Sequence, residues 1–264
     1  MYFCQVTAKH FLKYHGAGND FVMADNRNGD WSALSLEQRA LICHRRFGVG
    51  ADGLILLEND FEFDFRMVYY NSDGRQSSMC GNGGRCIAAF ANKLGIINDK
   101  TTFVAIDGVH EAVMEGDVVR LKMRDVPNPS PYFRGYFINT GSPHYVEMVE
   151  DVEAVSLIAR AREIRYNSDF AFEGVNVNFF EITPSGLLKV RTYERGVEDE
   201  TFACGTGVTA VAIAASSLIA GTTKFDLQAK GGLLRVSFDQ HSLGYHNIWL
   251  CGGAQFVFEG SFAF

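Results

Sequence analysis

At 264 residues, 47% of them hydrophobic, the chain can bury a substantial core as one large or two medium domains. Its net charge of −7 gives no electrostatic basis for holding nucleic acid. Its longest apolar run, residues 208–220, carries Thr209, Ser216 and Ser217 and falls short of the roughly 20 residues that cross a bilayer, so no membrane partner is expected. Residues 1–6 show no basic region ahead of an apolar leader, and a cytoplasmic protein is the expectation. Six cysteines, Cys4, Cys43, Cys80, Cys86, Cys204 and Cys251, are too few and too scattered for a disulfide framework. The Cys80-to-Cys86 gap matches no common zinc spacing, so no metal is expected. Cys4, Cys43, Cys86 and Cys251 read as small buried apolar residues.

In chain order, Phe11-Leu12-Lys13-Tyr14-His15 alternates as a strand and runs into the bend Gly16-Ala17-Gly18-Asn19-Asp20. The bend lacks the lysine of a P-loop and the third glycine of a dinucleotide fingerprint. Its better use is to aim Asn19 into a cleft; the alternative is an asparagine that tolerates a strained turn. Ser35 with Gln38 three residues on forms a capping box and predicts a helix over 35–44. A glycine-rich loop over 47–53 leads into a strand at 54–57. Phe63, Phe65, Met67 and Tyr69 alternate with Asp64, Arg66 and Val68, which predicts a half-buried strand delivering Asn71. Residues 102–123 read as short strands separated by the turns Asp107-Gly108 and Glu115-Gly116-Asp117. Three of the five prolines fall in Val126-Pro127-Asn128-Pro129-Ser130-Pro131, which reads as a linker. That divides the chain into a first half, 1–127, completed by a last strand at about 255–264, and a second half, 128–254.

The second half repeats the style of the first. A strand at 137–140 enters Gly141-Ser142-Pro143-His144, a helix is predicted over 155–164, and strands at 175–181 and 188–193 follow, the latter delivering Glu194-Arg195. Late strands are expected at 233–238, 247–250 and 255–259.

One turn occurs twice. Cys80-Gly81-Asn82-Gly83 precedes the apolar run 86–97, and Cys204-Gly205-Thr206-Gly207 precedes the run 208–220. A helix apolar all round must be buried all round. The expected fold is therefore α+β: two pseudo-symmetric domains, each a curved, barrel-like mixed sheet wrapped around a buried central helix. A helix starting just after the glycines points its unsatisfied amides and positive dipole end at the turn. That end holds an anion, whether a carboxylate or the thiolate of a cysteine. Pairing the halves would set the two cysteines across a cleft. Two thiols so placed suit one reaction: one sulfur removes a proton from carbon and the other returns one to the opposite face, with the helix ends stabilising the developing charge. His144 and Glu194 are candidates for tuning the thiols, a structural role or an ion pair being the alternative for each.

The ordered set of motifs resembles the diaminopimelate epimerase family. The elements are Gly16-Ala17-Gly18-Asn19-Asp20-Phe21, Gly48-Val49-Gly50-Ala51-Asp52-Gly53, Asn71-Ser72-Asp73-Gly74, Cys80-Gly81-Asn82-Gly83-Gly84-Arg85, Gly141-Ser142-Pro143-His144, Val175-Asn176, Tyr193-Glu194-Arg195-Gly196 and Ala203-Cys204-Gly205-Thr206-Gly207. The resemblance implies cofactor-independent interconversion of LL- and meso-2,6-diaminopimelate, in lysine and peptidoglycan precursor synthesis. It makes Cys80 and Cys204 the acid–base pair. Gly81, Asn82, Gly205 and Thr206 would hold the reacting carboxylate through backbone amides. Asn19, Asn71, Asn176, Glu194 and Arg195 would fix the far amino-acid end, and His144 and Glu194 would modulate the cysteines. The expected partner is the small-molecule substrate, diaminopimelate, and a homodimer is expected. Two positions depart from some members, which carry Gln where this chain has Gly53 and Asn where it has Ser142; no ligand contact is assigned to Gly53. A proline or hydroxyproline racemase, a non-catalytic binding protein and a thiol redox protein are the competing readings.

Overall fold

The computed structural model describes residues 8–77 and 79–264; Cys4 and residues 1–6 lie outside them. The chain divides into two compact units, one running to Val119 and taking back Gly253–Phe264, the other spanning Arg120–Gly252.

The first unit opens with β1 (Lys9–Gly16) and β2 (Asn19–Asp25), an antiparallel hairpin. Ala17 and Gly18 form its tip with positive φ, 51° and 83°. After α1 (Leu36–Cys43), β3 (Gly53–Glu58) pairs parallel to β2, and β4 (Phe65–Asn71) pairs antiparallel to β3. After α2 (Gly81–Lys93), β5 (Lys100–Ala105) pairs parallel to β4, and β6 (Gly108–Glu115) folds back on β5. β7 (Val118–Lys122) carries the chain onward.

The second unit runs through β8 (Val126–Pro127), β9 (Ser130–Tyr132), β10 (Gly135–Asn139) and β11 (Pro143–Met148). Here β10 and β11 form the hairpin. After α3 (Leu157–Arg165), β12 (Asn176–Ile182) pairs parallel to β11, and β13 (Leu188–Glu194) pairs antiparallel to β12. A short β14 (Asp199–Thr201) pairs with β13. After α4 (Gly205–Ser216), β15 (Lys224–Ala229) pairs parallel to β13, and β16 (Gly232–His241) and β17 (Gly244–Gly253) continue antiparallel. The last strand, β18 (Gln255–Phe262), returns to β1 in the first unit. Both units thus repeat one succession: hairpin, helical crossover, antiparallel pair, second helical crossover, antiparallel pair.

The second crossover helix is the core of each unit. α2 packs on β1, β2, β3 and β6, and α4 packs on β10, β11, β12, β13, β15 and β16. A straight helix touches that many strands only if the sheet curls around it. Every residue of α4 from Gly207 to Ser216 is buried. Val208, Val211 and Ile213, wholly inaccessible, contribute about 1.5–3 kcal/mol each relative to exposure, while the alanines between them let the strands approach. The first crossover helices cover the outer faces: Ile42 and Cys43 of α1 join Trp31, Leu34 and Leu54 in one cluster, and Leu157 and Ala161 of α3 join Val175, Phe179 and Tyr193 in another.

Several sequence expectations shift by a few residues for identifiable reasons. The central helices begin immediately after the cysteines, so the glycines form the first turn rather than preceding it. α2 stops at Lys93 instead of residue 97 because Gly95 takes φ 71°; Gly95 N then donates to Asn92 O (2.9 Å) and Ile96 N to Ala91 O (3.0 Å), a Schellman closure. Phe63 precedes β4, because the Asp60 carboxylate accepts from the amides of Glu62 (3.1 Å) and Phe63 (3.3 Å) and holds them in a turn. The proline-rich stretch is no open linker: β8 pairs with β17 and β9 with β10. Prolines lack a donor but keep their carbonyls, which suits such short strands. Ser35 and Gln38 do form the capping box of α1. Cys43 and Cys86 are buried, and burial pushes each thiol up to about 12; Cys251 is only half-buried.

Candidate active site

In the first unit the hairpin tip, the loop before β3 and the start of α2 converge. Cys80 is the N-cap of α2, with φ −94° and ψ 134°, and its side chain makes no capping bond. The first intrahelical bond runs from Gly84 N to Cys80 O (2.7 Å), so the amides ahead of it point out of the helix end. Cys80 Sγ lies 3.5 Å from Asn19 Oδ1, and Asn82 Nδ2 donates to the same oxygen at 3.3 Å. Asn82 is in turn oriented by Arg85, whose guanidinium donates to Asn82 Oδ1 (2.9 Å) and Gly81 O (3.2 Å). Both Asn82 and Arg85 are fully buried.

Asn19 is held from its other end. Its Nδ2 donates to Asp52 Oδ2 at 2.5 Å, and Arg45 bridges Asp52 (2.7 Å) to Asp20 (2.7 Å). Lys13 Nζ closes the set on Asp20 (2.7 Å) and on the Gly50 carbonyl. Burial alone would push Asp20 up, but hydrogen bonds from Arg45 and Lys13 outweigh it and bring it to about 2. Asn71 ends β4 and heads the turn closed by Gly74 N donating to Asn71 O (2.9 Å).

The second unit builds a different environment around Cys204. This residue is the N-cap of α4, buried, with Val208 N donating to its carbonyl at 2.9 Å. Its Sγ is 3.4 Å from Thr206 Oγ1, which is 2.9 Å from His144 Nε2. His144 Nδ1 is 3.1 Å from Asn178 Nδ2, and Asn178 also donates to Tyr145 O (2.9 Å) and accepts from Thr192 Oγ1 (2.9 Å). Complete burial, with the positive charge of Arg195, pushes His144 down to about 3.

Asn176 ties the neighbouring groups together. Its Oδ1 accepts from Arg195 N (2.9 Å), and its Nδ2 donates to Ser142 Oγ (2.9 Å) and Pro143 O (3.1 Å). The exposed Arg195 guanidinium donates to Glu173 O (2.8 Å) and reaches Ser142 Oγ (3.5 Å). Glu194 ends β13 beside it. The loop carrying both is braced by Glu198, which accepts from Tyr166 (2.7 Å), Tyr193 (2.9 Å) and Gly196 N (3.1 Å) and meets Arg165 (3.4 Å). Burial would raise Glu198, yet these donors bring it down to about 2.

Of the residues singled out from sequence, the first unit gathers Asn19, Cys80, Gly81 and Asn82, and the second gathers His144, Asn176, Arg195, Cys204, Gly205 and Thr206. The supporting residues Lys13, Arg45, Asn178, Thr192 and Glu198 were not identified from sequence, and Asp20 and Asp52 were given no role although they sit inside the Gly16–Phe21 and Gly48–Gly53 motifs; Ser142 was singled out only as a departure. Asn178 follows Asn176 at strand period two on a buried face, a further signal.

The family model for diaminopimelate epimerase matches residues 11–121 and 136–256. The diaminopimelate epimerase of Flavobacterium psychrophilum is 49% identical over 94% of this chain and 97% of its own. That of Chlorobaculum tepidum is 42% identical over 93% of this chain and 98% of its own.

The chain belongs to the diaminopimelate epimerase family.

Solved structures show the same fold at low identity. A PhzF-family phenazine biosynthesis protein of Bacillus anthracis superposes with a TM-score of 0.72 at 12% identity, covering 98% of this chain and 100% of that one. A hydroxyproline epimerase of Agrobacterium vitis gives 0.66 at 15% identity, covering 97% of this chain and 91% of that one. Gly53 and Ser142, singled out from sequence, each have a physical reading. A Cβ at Gly53 would fall 2.4 Å from the Tyr69 ring and 2.5 Å from the Tyr70 carbonyl, so only glycine fits this backbone. The Ser142 hydroxyl accepts from Asn176 Nδ2 and faces the Arg195 guanidinium.

Proposed function

We propose that the protein epimerises LL-2,6-diaminopimelate to the meso form in lysine and peptidoglycan precursor synthesis, by cofactor-independent two-cysteine acid–base chemistry. The observation that carries this reading is that Cys80 and Cys204, both within the residues the family model matches, are N-caps of the buried central helices. In it, one thiolate removes the α-proton and the other thiol delivers a proton to the opposite face. The amides of Gly81 and Asn82, and of Gly205 and Thr206, hold the reacting carboxylate, and both helix dipoles favour the enediolate charge that develops there. Asn19, Asn71, Asn176, Glu194 and Arg195 take the distal ammonium and carboxylate, where a guanidinium matches a carboxylate fork. His144 and Glu194 adjust the sulfurs. A proline racemase would have no use for this second charged end.

The test is turnover of LL-diaminopimelate by the purified, reduced protein in deuterium oxide with no added cofactor. The expected product is meso-diaminopimelate carrying solvent deuterium at the inverted carbon. Turnover of proline with no action on diaminopimelate would overturn the reading.

We also infer a homodimer. The support is β18, which presents Phe256, Val257 and Phe258 to solvent in the first unit, an apolar surface of the kind subunit contacts cover. Sedimentation velocity should return twice the chain mass; a monomer at micromolar concentration would contradict it.

A further inference from the structure

The turn after β13 carries Arg195, and it is anchored differently from its counterpart in the first unit. There, the turn after β4 is closed within itself: Gly74 N donates to Asn71 O (2.9 Å) and Arg75 pairs with Asp73 (2.8 Å). That turn meets α1 through bare glycine, since a Cβ at Gly74 would fall 2.3 Å from the Leu36 carbonyl oxygen. In the second unit the turn is closed by Glu198 N donating to Glu194 O (2.8 Å), and the closing residue is not glycine. Glu198 takes φ 60°, the left-handed region that a Cβ disfavours. A residue persists in such a conformation where its surroundings hold it there.

Both carboxylate oxygens of Glu198 are engaged. Oε1 accepts from Gly196 N (3.1 Å) and faces Arg165 Nη2 (3.4 Å), and Oε2 accepts from the hydroxyls of Tyr166 (2.7 Å) and Tyr193 (2.9 Å). Arg165 and Tyr166 stand at the end of α3 and Tyr193 lies in β13, so one side chain ties the turn to a helix and to a strand. Arg165 matters for a second reason. A Cβ at Gly174 would fall 2.6 Å from Arg165 Cζ and 2.8 Å from Arg195 Cδ, so the two arginine side chains flank one glycine. Glu198 compensates the charge of Arg165. The Arg195 guanidinium is turned instead to neutral oxygens, the Glu173 carbonyl (2.8 Å) and Ser142 Oγ (3.5 Å), neither of which cancels its charge.

Resting on the epimerase reading above, we propose that Glu198 is the positioning residue for Arg195. It fixes the turn over 194–198 to α3, and with it the guanidinium that takes the distal carboxylate of diaminopimelate. Selectivity for a substrate with a second anionic end then depends on an anion that does not itself bind that end: the Glu198 carboxylate would repel it and serves only through the groups it holds.

Two variants of the full-length protein separate charge from reach. Glu198→Gln keeps the length of the side chain and loses its charge. Glu198→Asn loses the reach as well but suits the left-handed turn, so the backbone is not the cause of its effect. The KM for LL-diaminopimelate is expected to rise about tenfold in Glu198→Asn, the size of one hydrogen bond to a charged group, and less in Glu198→Gln, with kcat within about twofold in both. A change that only destabilised the fold would lower kcat through the folded fraction and leave KM unmoved. The second readout needs no substrate: limited cleavage by trypsin after Arg195, with cleavage after Arg75, an exposed arginine in the counterpart turn, as reference in the same digest. Relative to Arg75, cleavage after Arg195 should be about tenfold faster in Glu198→Asn, because the untied turn opens locally. An unchanged KM, or equal relative cleavage in the variant and the unaltered protein, would overturn the proposal. No turnover by the unaltered protein, with the cleavage difference intact, would instead overturn the epimerase reading and leave Glu198 as the anchor of the turn.

Discussion

His144 shows how much of the site depends on a single buried group. Its ring is fully inaccessible and is pushed down to about 3 from an ordinary 6.5, by burial first and by Arg195 second. Between those two values the unfolded chain binds a proton that the folded chain refuses. The contribution to stability is therefore full above about pH 6.5 and is lost progressively as pH falls toward 3. We predict that His144→Gln flattens the dependence of unfolding free energy on pH across that window by up to about 1.4 kcal/mol per pH unit. Urea melts at several pH values measure it, and equal slopes in the two proteins would count against a neutral buried ring. Asp20 and Glu198, both brought to about 2 by their donors, add acid sensitivity as pH falls from the ordinary carboxylate range toward 2.

The central helices set the geometry at the next scale, and their first turns differ in what they tolerate. Gly83 and Gly207 hold matching positions, but the atom a new Cβ would meet is a flexible Ile55 methyl in one case and the Asn178 oxygen in the other. The methyl can turn aside, and alanine gains helix propensity. The oxygen is held by Thr192 and cannot move without breaking the relay to His144. Gly207→Ala is accordingly expected to cost about 2 kcal/mol through overpacking, and Gly83→Ala less than about 1 kcal/mol. Thermal unfolding of the two variants decides it; equal losses would mean that Asn178 is not rigidly placed. These elements were also the part most open to reading from sequence. The doubled Cys-Gly-x-Gly turn, the apolar runs behind it and the alternating strands report their own local environment. The network of Asp52, Arg45, Asp20 and Lys13 was not legible, because the links that tie the hairpin to Arg45 and Asp52 span 25 and 33 residues and charged side chains ordinarily face solvent. The prolines at 127–131 misled for the opposite reason: local composition signals a linker, while the pairing of β8 with β17, more than 100 residues on, is a long-range fact.

For the molecule as a whole, duplication without identity is the organising feature. Two units fold by one succession of pairings, and the pattern behind each cysteine then diverges: apolar at Phe21 and Ile55, polar at His144 and Asn178. Inversion at carbon needs one sulfur to take a proton while the other gives one. The central claim is that Cys80 and Cys204 act as this pair. The most direct measurement is diaminopimelate turnover in deuterium oxide by Cys80→Ala and Cys204→Ala, each first shown to be folded by its unfolding transition. The account predicts loss of epimerisation by at least three orders of magnitude in both variants, of the order reported for removal of a group that acts as one of a catalytic set. Undiminished formation of the deuterated meso product by either variant would contradict it.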